Sequence, residues 1–134
     1  MRLTSRIDYG LRAMMDLALN YGRAVIQNHD ISRRQRIPEQ YLKQILPSLR
    51  RRGLVLSSRG PQGGHRLARV PSEVSIAEII RALEGGVNIL EIGDGRKDAA
   101  NAGESEKTLN EFWGELRNEV EQFLKTTTLE DLCR

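Results

Sequence analysis

The 134-residue chain reads as a mainly α-helical fold with one small β-hairpin. Three features point that way. Apolar residues recur every three or four positions over several stretches, one glycine-dense turn sits between two β-prone runs, and a long heptad-spaced segment lies near the C-terminus. The length allows one domain with a modest core. With only six aromatic residues to anchor that core, burial against a second copy of the chain is favoured.

In order along the chain, Leu3, Ile7, Leu11, Met14 and Ala18 place one apolar face on a first helix, from Leu3 to about Tyr21. Thr4 or Ser5 caps its start, and Gly22 supplies the left-handed residue at its end. A brief second helix runs from Asn28, as cap, to Arg36, anchored by Ile31 and Ile37. Pro38 opens a third helix, since its missing N–H is unpaired in a first turn anyway. Tyr41, Leu42, Ile45, Leu46 and Leu49 form its buried stripe, Pro47 predicts a kink but no break, and Gly53 ends it.

Leu54–Ser58 is β-prone, Arg59–Gly64 is dense in turn residues, and His65–Val70 alternates polar with apolar, which together predict a hairpin with a basic tip. Pro71 ends it, and Ser72 or Ser75 caps a fourth helix with stripe Ile76, Ile79, Ile80 and Leu83. Residues 85–105 carry glycines and Asp94, Asp98 and Asn101 without periodicity, and read as a long loop. Leu109, Trp113, Leu116, Val120 and Phe123 then follow a four-three-four-three spacing, the seam of a helix that pairs with its own copy. Trp113 reads as an anchor of that dimer core. The divisions that follow are residues 1–84, the loop 85–104, and a dimerisation helix with tail, 105–134.

Composition excludes several classes. Hydrophobic residues make up 39% and charged residues 29%, mean hydropathy is -0.48, and no apolar run approaches the roughly 20 residues of a membrane span. No signal-peptide stretch follows Met1, so a cytoplasmic protein is expected. The single cysteine, Cys133, forms no intrachain disulfide and reads as a free thiol. The net charge of +3 hides an asymmetry: residues 1–81 hold 15 Lys and Arg against 6 Asp and Glu, whereas residues 82–134 hold 6 against 12. The front of the chain is suited to an anionic partner and the back is not.

Two short helices, a proline-started third helix bearing polar and basic residues, and a β-hairpin make a winged helix-turn-helix. Such a helix fits the major groove of double-stranded DNA, and nearby cations neutralise phosphates. Gln40, Lys43 and Gln44 are expected to face bases, and Arg50, Arg51 and Arg52 to hold phosphate. Arg59 is the wing contact, because a lone arginine gains from the negative potential of a narrow minor groove. The full candidate DNA-facing set is Arg2, Thr4, Gln40, Tyr41, Lys43, Gln44, Arg50, Arg51, Arg52, Arg59, Gly60, Gln62, Gly63, Gly64 and His65. The turn lacks a Gly-Lys-Ser/Thr ending and no helix follows it, which argues against a nucleotide loop. His65 is expected to contact phosphate or to pack at the hairpin base, and His29 lies near a helix start. Neither enzyme nucleophile nor paired carboxylates nor metal-ligand spacing is recognisable.

Met1-Arg2-Leu3-Thr4-Ser5-Arg6-Ile7-Asp8-Tyr9-Gly10, Tyr41-Leu42-Lys43-Gln44, Gly53-Leu54-Val55, Arg59-Gly60-Pro61-Gln62-Gly63-Gly64 and Thr127-Thr128-Leu129-Glu130-Asp131-Leu132 resemble the Rrf-two family of bacterial winged-helix regulators. The resemblance implies a homodimer joined by the long C-terminal helix, with two wings on a palindromic operator. Cluster-binding members carry three cysteines in the loop before the last helix. Here residues 85–107 hold no Cys or His, and Ile92, Asp98, Glu104 and Lys107 stand where such ligands would fall. Carboxylates do not replace thiolates on an iron–sulfur cluster, so no cofactor and no metal ligand is expected.

One branch of the family uses an aspartate near the N-terminus as a further ligand, and Asp8 sits there. Its own surroundings favour a surface pair with Arg12, one turn on. The resemblance is nearest the cluster-free, cysteine-metabolism repressors, which implies a protein partner, a cysteine-synthesis enzyme. The expectation is a homodimeric repressor. Two other readings stay open: a redox- or metal-sensing regulator with an atypical cofactor site, and a protein-interaction adaptor regulated by a cysteine-synthesis enzyme.

Overall fold

A computed structural model describes residues 5–84 and 103–134. The elements are α1 (Ser5–Leu19), α2 (Asn28–Gln35), α3 (Glu39–Arg51), β1 (Val55–Ser58), β2 (Gly64–Leu67), α4 (Ile76–Glu84), α5 (Glu104–Thr126) and α6 (Leu129–Leu132), with a single 3₁₀ turn at Pro71–Glu73. The mainly helical fold with one antiparallel hairpin is therefore as the sequence predicts. The expected loop over residues 85–105 lies outside the described residues up to residue 102.

The helices form where the apolar spacing places them, and their stripes meet in one core. Ile7, Met14 and Leu17 of α1, Ile31 of α2, Leu42, Ile45, Leu46 and Leu49 of α3, and Ile79, Ile80 and Leu83 of α4 are all buried there. At Gly10 the approach of α1 to α4 is so close that a Cβ would lie 2.3 Å from a Leu83 methyl. The hairpin pairs Val55 with Leu67 and Ser58 with Gly64, and its base enters the same core through Leu54, Val55 and Leu67.

Several helix ends differ from expectation. Ser5 is the first described residue of α1, and Thr4, the other cap considered, lies outside the described residues. Gly22 does take a left-handed φ of 85°, but three residues beyond Leu19, in the turn that follows. Asn28 is the first residue of α2 instead of its cap; Gln27 holds the cap position with no side-chain capping bond, its amide donating to Pro61 O in the hairpin turn. Pro38 occupies the cap position before α3, where its fixed φ still suits a helix start. The helix continues unbroken through Pro47. Gly53, at φ 74°, ends α3 with Leu54 N–H donating to Leu49 O.

Of the two serines considered for α4, Ser75 is the cap. Its hydroxyl accepts from the Glu78 N–H at 3.2 Å, while the Glu78 carboxylate accepts from the Ser75 N–H at 3.0 Å, a reciprocal capping box. The C-terminal segment returns to this point. Ile76 N–H donates to Thr127 O, Leu129 N–H donates to Val74 O, and Leu129 is fully buried in the core. Thr128 and Asp131 close a second capping box on α6.

Two polar links tie distant elements together. Arg6 donates to Leu83 O and to the buried Ser48 hydroxyl, both at 2.8 Å, joining α1, α3 and α4. Asp16, 2% exposed, accepts a two-pronged bond from Arg34 at 2.9 Å and another from the Gln35 amide, which fixes α2 on α1.

Candidate nucleic-acid interface

The third helix sorts its residues by the helical turn. With Leu42, Ile45, Leu46 and Leu49 facing the core, Gln40, Lys43, Gln44 and Arg50 are left exposed. None of these four pairs with a described residue. Lys43 and Arg50 line a groove of about 200 Å³ with Asn28 of α2, Leu42, Leu46 and Pro47 of α3, and Ser57 and His65 of the hairpin. The exposed side of α3 is thus continuous with the wing.

Arg50, Arg51 and Arg52 do not act as one cluster, because successive helical residues point about 100° apart. Arg50 faces the wing groove. Arg51 donates to Ser48 Oγ at 3.2 Å. Arg52 borders a separate hollow with Leu54, Glu78 and Arg81, away from the hairpin. Tyr41 is half-buried, its ring edge-on to Tyr9 at 4.9 Å, so it lies in the α1–α3 packing. Arg2 and Thr4 lie outside the described residues.

At the wing tip Arg59, Gly60 and Gln62 are exposed, and Arg59 has no partner among the described residues. The glycines differ in purpose. Gly60 has open space around it at φ 97°. A Cβ on Gly63 would lie 2.3 Å from Ser58 O, and one on Gly64 would lie 2.6 Å from Ile26 O. Those two glycines let the hairpin close on itself and on the loop before α2.

His65, expected near phosphate or at the hairpin base, uses both ring nitrogens inside the protein. Nδ1 is 2.7 Å from Ser57 Oγ and Nε2 is 2.7 Å from Asn28 Oδ1. Because Asn28 offers a carbonyl oxygen, the ring proton sits on Nε2, and Nδ1 accepts from the Ser57 hydroxyl. Burial, aided by the charge of Arg50, holds the His65 pKa below the ordinary histidine value. Sequence reading missed this link because nothing local marks a contact between residues 37 positions apart. His29 is exposed and lines a second hollow with Gln27, Asn28, Glu39, Ser58, Gly60, Gly63, Gly64 and His65.

Asp8 pairs with Arg12 at 2.8 Å, as the spacing predicts. On α5, Leu109, Phe112 and Phe123 are exposed, Trp113 and Leu116 are half-buried, and Val120 turns with Leu124 toward the core. Phe112, absent from the heptad reading, packs edge-on against Trp113 at 5.1 Å. No helix of the described residues is long and apolar enough to cross a membrane.

This architecture defines a winged helix-turn-helix transcriptional regulator. The chain belongs to the Rrf2 family, whose profile, described as "Iron-dependent Transcriptional regulator", matches residues 3–134. It is 35% identical over 136 residues to the HTH-type transcriptional regulator IscR of Cereibacter sphaeroides, covering 100% of this chain and 88% of that protein. It is 33% identical over 133 residues to the HTH-type transcriptional regulator CymR of Bacillus subtilis, covering 99% and 90%. Among solved structures it resembles CymR, the global cysteine regulator of B. subtilis, with a TM-score of 0.81 at 32% identity over 99% of this chain and 96% of that one. It also resembles T. potens IscR, with a TM-score of 0.76 at 32% identity over 98% and 85%. The relatives are transcriptional regulators, and this chain is a regulator of that kind and not an enzyme.

The iron in the family's description raises the question of ligands, and the donor set of this chain does not fit an iron–sulfur cluster. Such clusters are held by several thiolates, and the sequence supplies one. Cys133 is half-buried against α1, its Sγ 3.9 Å from Met15 O, and burial raises its pKa away from the thiolate form. His65 is committed to Ser57 and Asn28. Among the described residues no group of three His, Cys, Asp or Glu side chains converges.

Proposed function

We propose that the chain is a homodimeric, sequence-specific DNA-binding repressor that works without a cluster. The observation that carries this reading is the shared groove: exposed Lys43 and Arg50 of α3 stand beside Ser57 and His65 of the hairpin. A helix lying in a major groove would therefore carry the Arg59 wing to the adjacent minor groove. Gln40, Lys43 and Gln44 are the candidate base readers, and Arg50 and Arg59 the candidate phosphate and minor-groove contacts. The apolar side of α5, with Leu109, Phe112, Trp113 and Phe123, is the candidate dimer seam, and a two-fold protein calls for a palindromic site. Repression follows by occlusion of the operator.

The test uses a duplex selected by the wild-type protein from a randomised pool, with a scrambled duplex as control. Arg59→Ala is expected to weaken binding to the selected duplex by about 1–3 kcal/mol and to reduce discrimination. Arg50→Ala should instead weaken both duplexes alike and flatten the salt dependence by about one unit. Failure to select any sequence would overturn the reading. Protein purified without oxygen should be colourless and metal-free, whereas visible absorption would refute the cluster-free part. The partner that the resemblance implies, a cysteine-synthesis enzyme, is tested by calorimetry of the two purified proteins, and absence of heat would remove it.

A further inference from the structure

A two-stranded hairpin is marginal on its own, so something outside it must fix where the wing tip points. Its base is anchored in the core through Leu54, Val55 and Leu67. Above that base, one set of contacts ties the wing to the helix-turn-helix. Ile26 and His65 exchange backbone hydrogen bonds of 2.8 and 2.7 Å, and Gln27 Nε2 donates to Pro61 O at 3.0 Å. The His65 ring then spans from Ser57 on β1 to Asn28, the first residue of α2. Asn28 and His65 stand between the two hollows of the interface, one holding Lys43 and Arg50, the other Gly60 and Gly63.

We infer that His65 is a positioning residue: through its Nε2–H bond to Asn28 it sets the wing against α2 and α3, and so places Arg59 for the groove next to the one α3 occupies. This rests on the DNA-binding reading above and adds to it a residue that itself touches no DNA. The two ring bonds are unequal in this role. Ser57 faces His65 across the hairpin, so their bond stays within the wing, whereas the bond to Asn28 joins two elements. Glutamine reaches about as far as Nε2 and keeps a donor for Asn28. Asparagine reaches only as far as Nδ1 and keeps the contact with Ser57.

The test is a double-mutant cycle on the selected duplex, together with amide hydrogen exchange of the free protein. Losing one such bond corresponds to about a fivefold to tenfold weaker affinity for His65→Ala. Asn28→Ala, which leaves the hairpin untouched, should reproduce that loss. In an Arg59→Ala background the same substitutions should have little further effect, because they act through the wing. His65→Gln should recover more affinity than His65→Asn. The amides of Ile26 and residue 65 should exchange faster in His65→Ala while those in the middle of α3 do not change.

Equal losses with and without Arg59, or recovery by Asn in preference to Gln, would overturn the inference. Unchanged exchange at Ile26 would do so whatever the DNA result. If wild-type protein selects no duplex, the functional reading fails, and the exchange comparison still decides whether His65 holds the wing. Should His65→Ala not fold, Asn28→Ala and the Gln and Asn variants carry the same comparison.

Discussion

Among single residues, the most consequential polar side chains are those that nothing nearby in sequence marks. Asp16 is buried on the inner face of α1, and among the described residues its charge is matched by Arg34, 18 positions on. The two partners are not equivalent, since Asp16 is 2% exposed and Arg34 is 40% exposed. Removing Arg34 leaves a buried carboxylate without its cation; removing Asp16 leaves a guanidinium that water can reach. Arg34→Ala is therefore expected to cost about 3–5 kcal/mol in urea unfolding, and Asp16→Ala distinctly less. Equal costs would show that packing, and not the orphaned charge, dominates. The same reasoning explains why Asn28 was legible as a cap type but not in its actual role. An Asn before a helical run is a local signal, and a bond to His65 is not.

At the scale of elements, the sequence was most informative where burial imposes a period. Leu42, Ile45, Leu46 and Leu49 define both the inside of α3 and, by exclusion, its exposed face, so the candidate base readers could be read without coordinates. The hairpin was equally legible, because Gly63 and Gly64 occur where backbone must approach backbone. Divergence of the three arginines at the end of α3 was also implicit in the helical turn, although a charge run reads as a patch on paper. The capping box of α4 carries a pH signature. Burial pushes the Glu78 pKa up, but the Ser75 N–H and hydroxyl and the Arg69 guanidinium outweigh it, and the net pKa lies below the ordinary glutamate value. A carboxylate whose pKa is lower folded than unfolded contributes stability above the unfolded value. That contribution is lost as pH falls through the folded value. Thermal unfolding of Glu78→Gln should accordingly fall less steeply with acidification than wild type over the range just below the ordinary carboxylate pKa. Parallel curves would contradict this.

For the molecule as a whole, the charge split along the chain corresponds to a division of labour in space. Basic α3 and wing residues face outward together, and the acidic C-terminal part supplies α5, whose described side chains include no buried residue. A helix of 23 residues with Leu109, Phe112 and Phe123 exposed is incomplete without a covering surface. On the dimeric reading proposed above, Phe112→Glu is expected to shift the protein from dimer to monomer in analytical ultracentrifugation and, by halving the contacts on a two-fold site, to weaken binding to the selected duplex more than it weakens binding to one half-site. A dimer that survives the change would place the seam elsewhere. The heptad spacing made α5 visible in sequence; which of its apolar residues turn back onto their own chain was not, since Val120 belongs to the same heptad series as exposed Leu109 and Phe123, and Leu124 falls outside that series.

The C-terminal attachment has a mechanical corollary. Helix α5 is secured near its end, where Val120 and Leu124 lean on the core, Thr127 O is held by the Ile76 N–H and the Leu129 N–H by Val74 O, while Leu109 and Phe112 stand two to three turns before Val120. At 1.5 Å per residue the rod is about 35 Å long. It is a lever: a rotation of only a few degrees at the end secured to the core displaces the far end by a few ångströms, and a load on the far end returns as torque on the first turn of α4. In a two-fold assembly the spacing between the two reading heads would then be governed less by how tightly the rods adhere than by how stiffly Leu129 clamps each one.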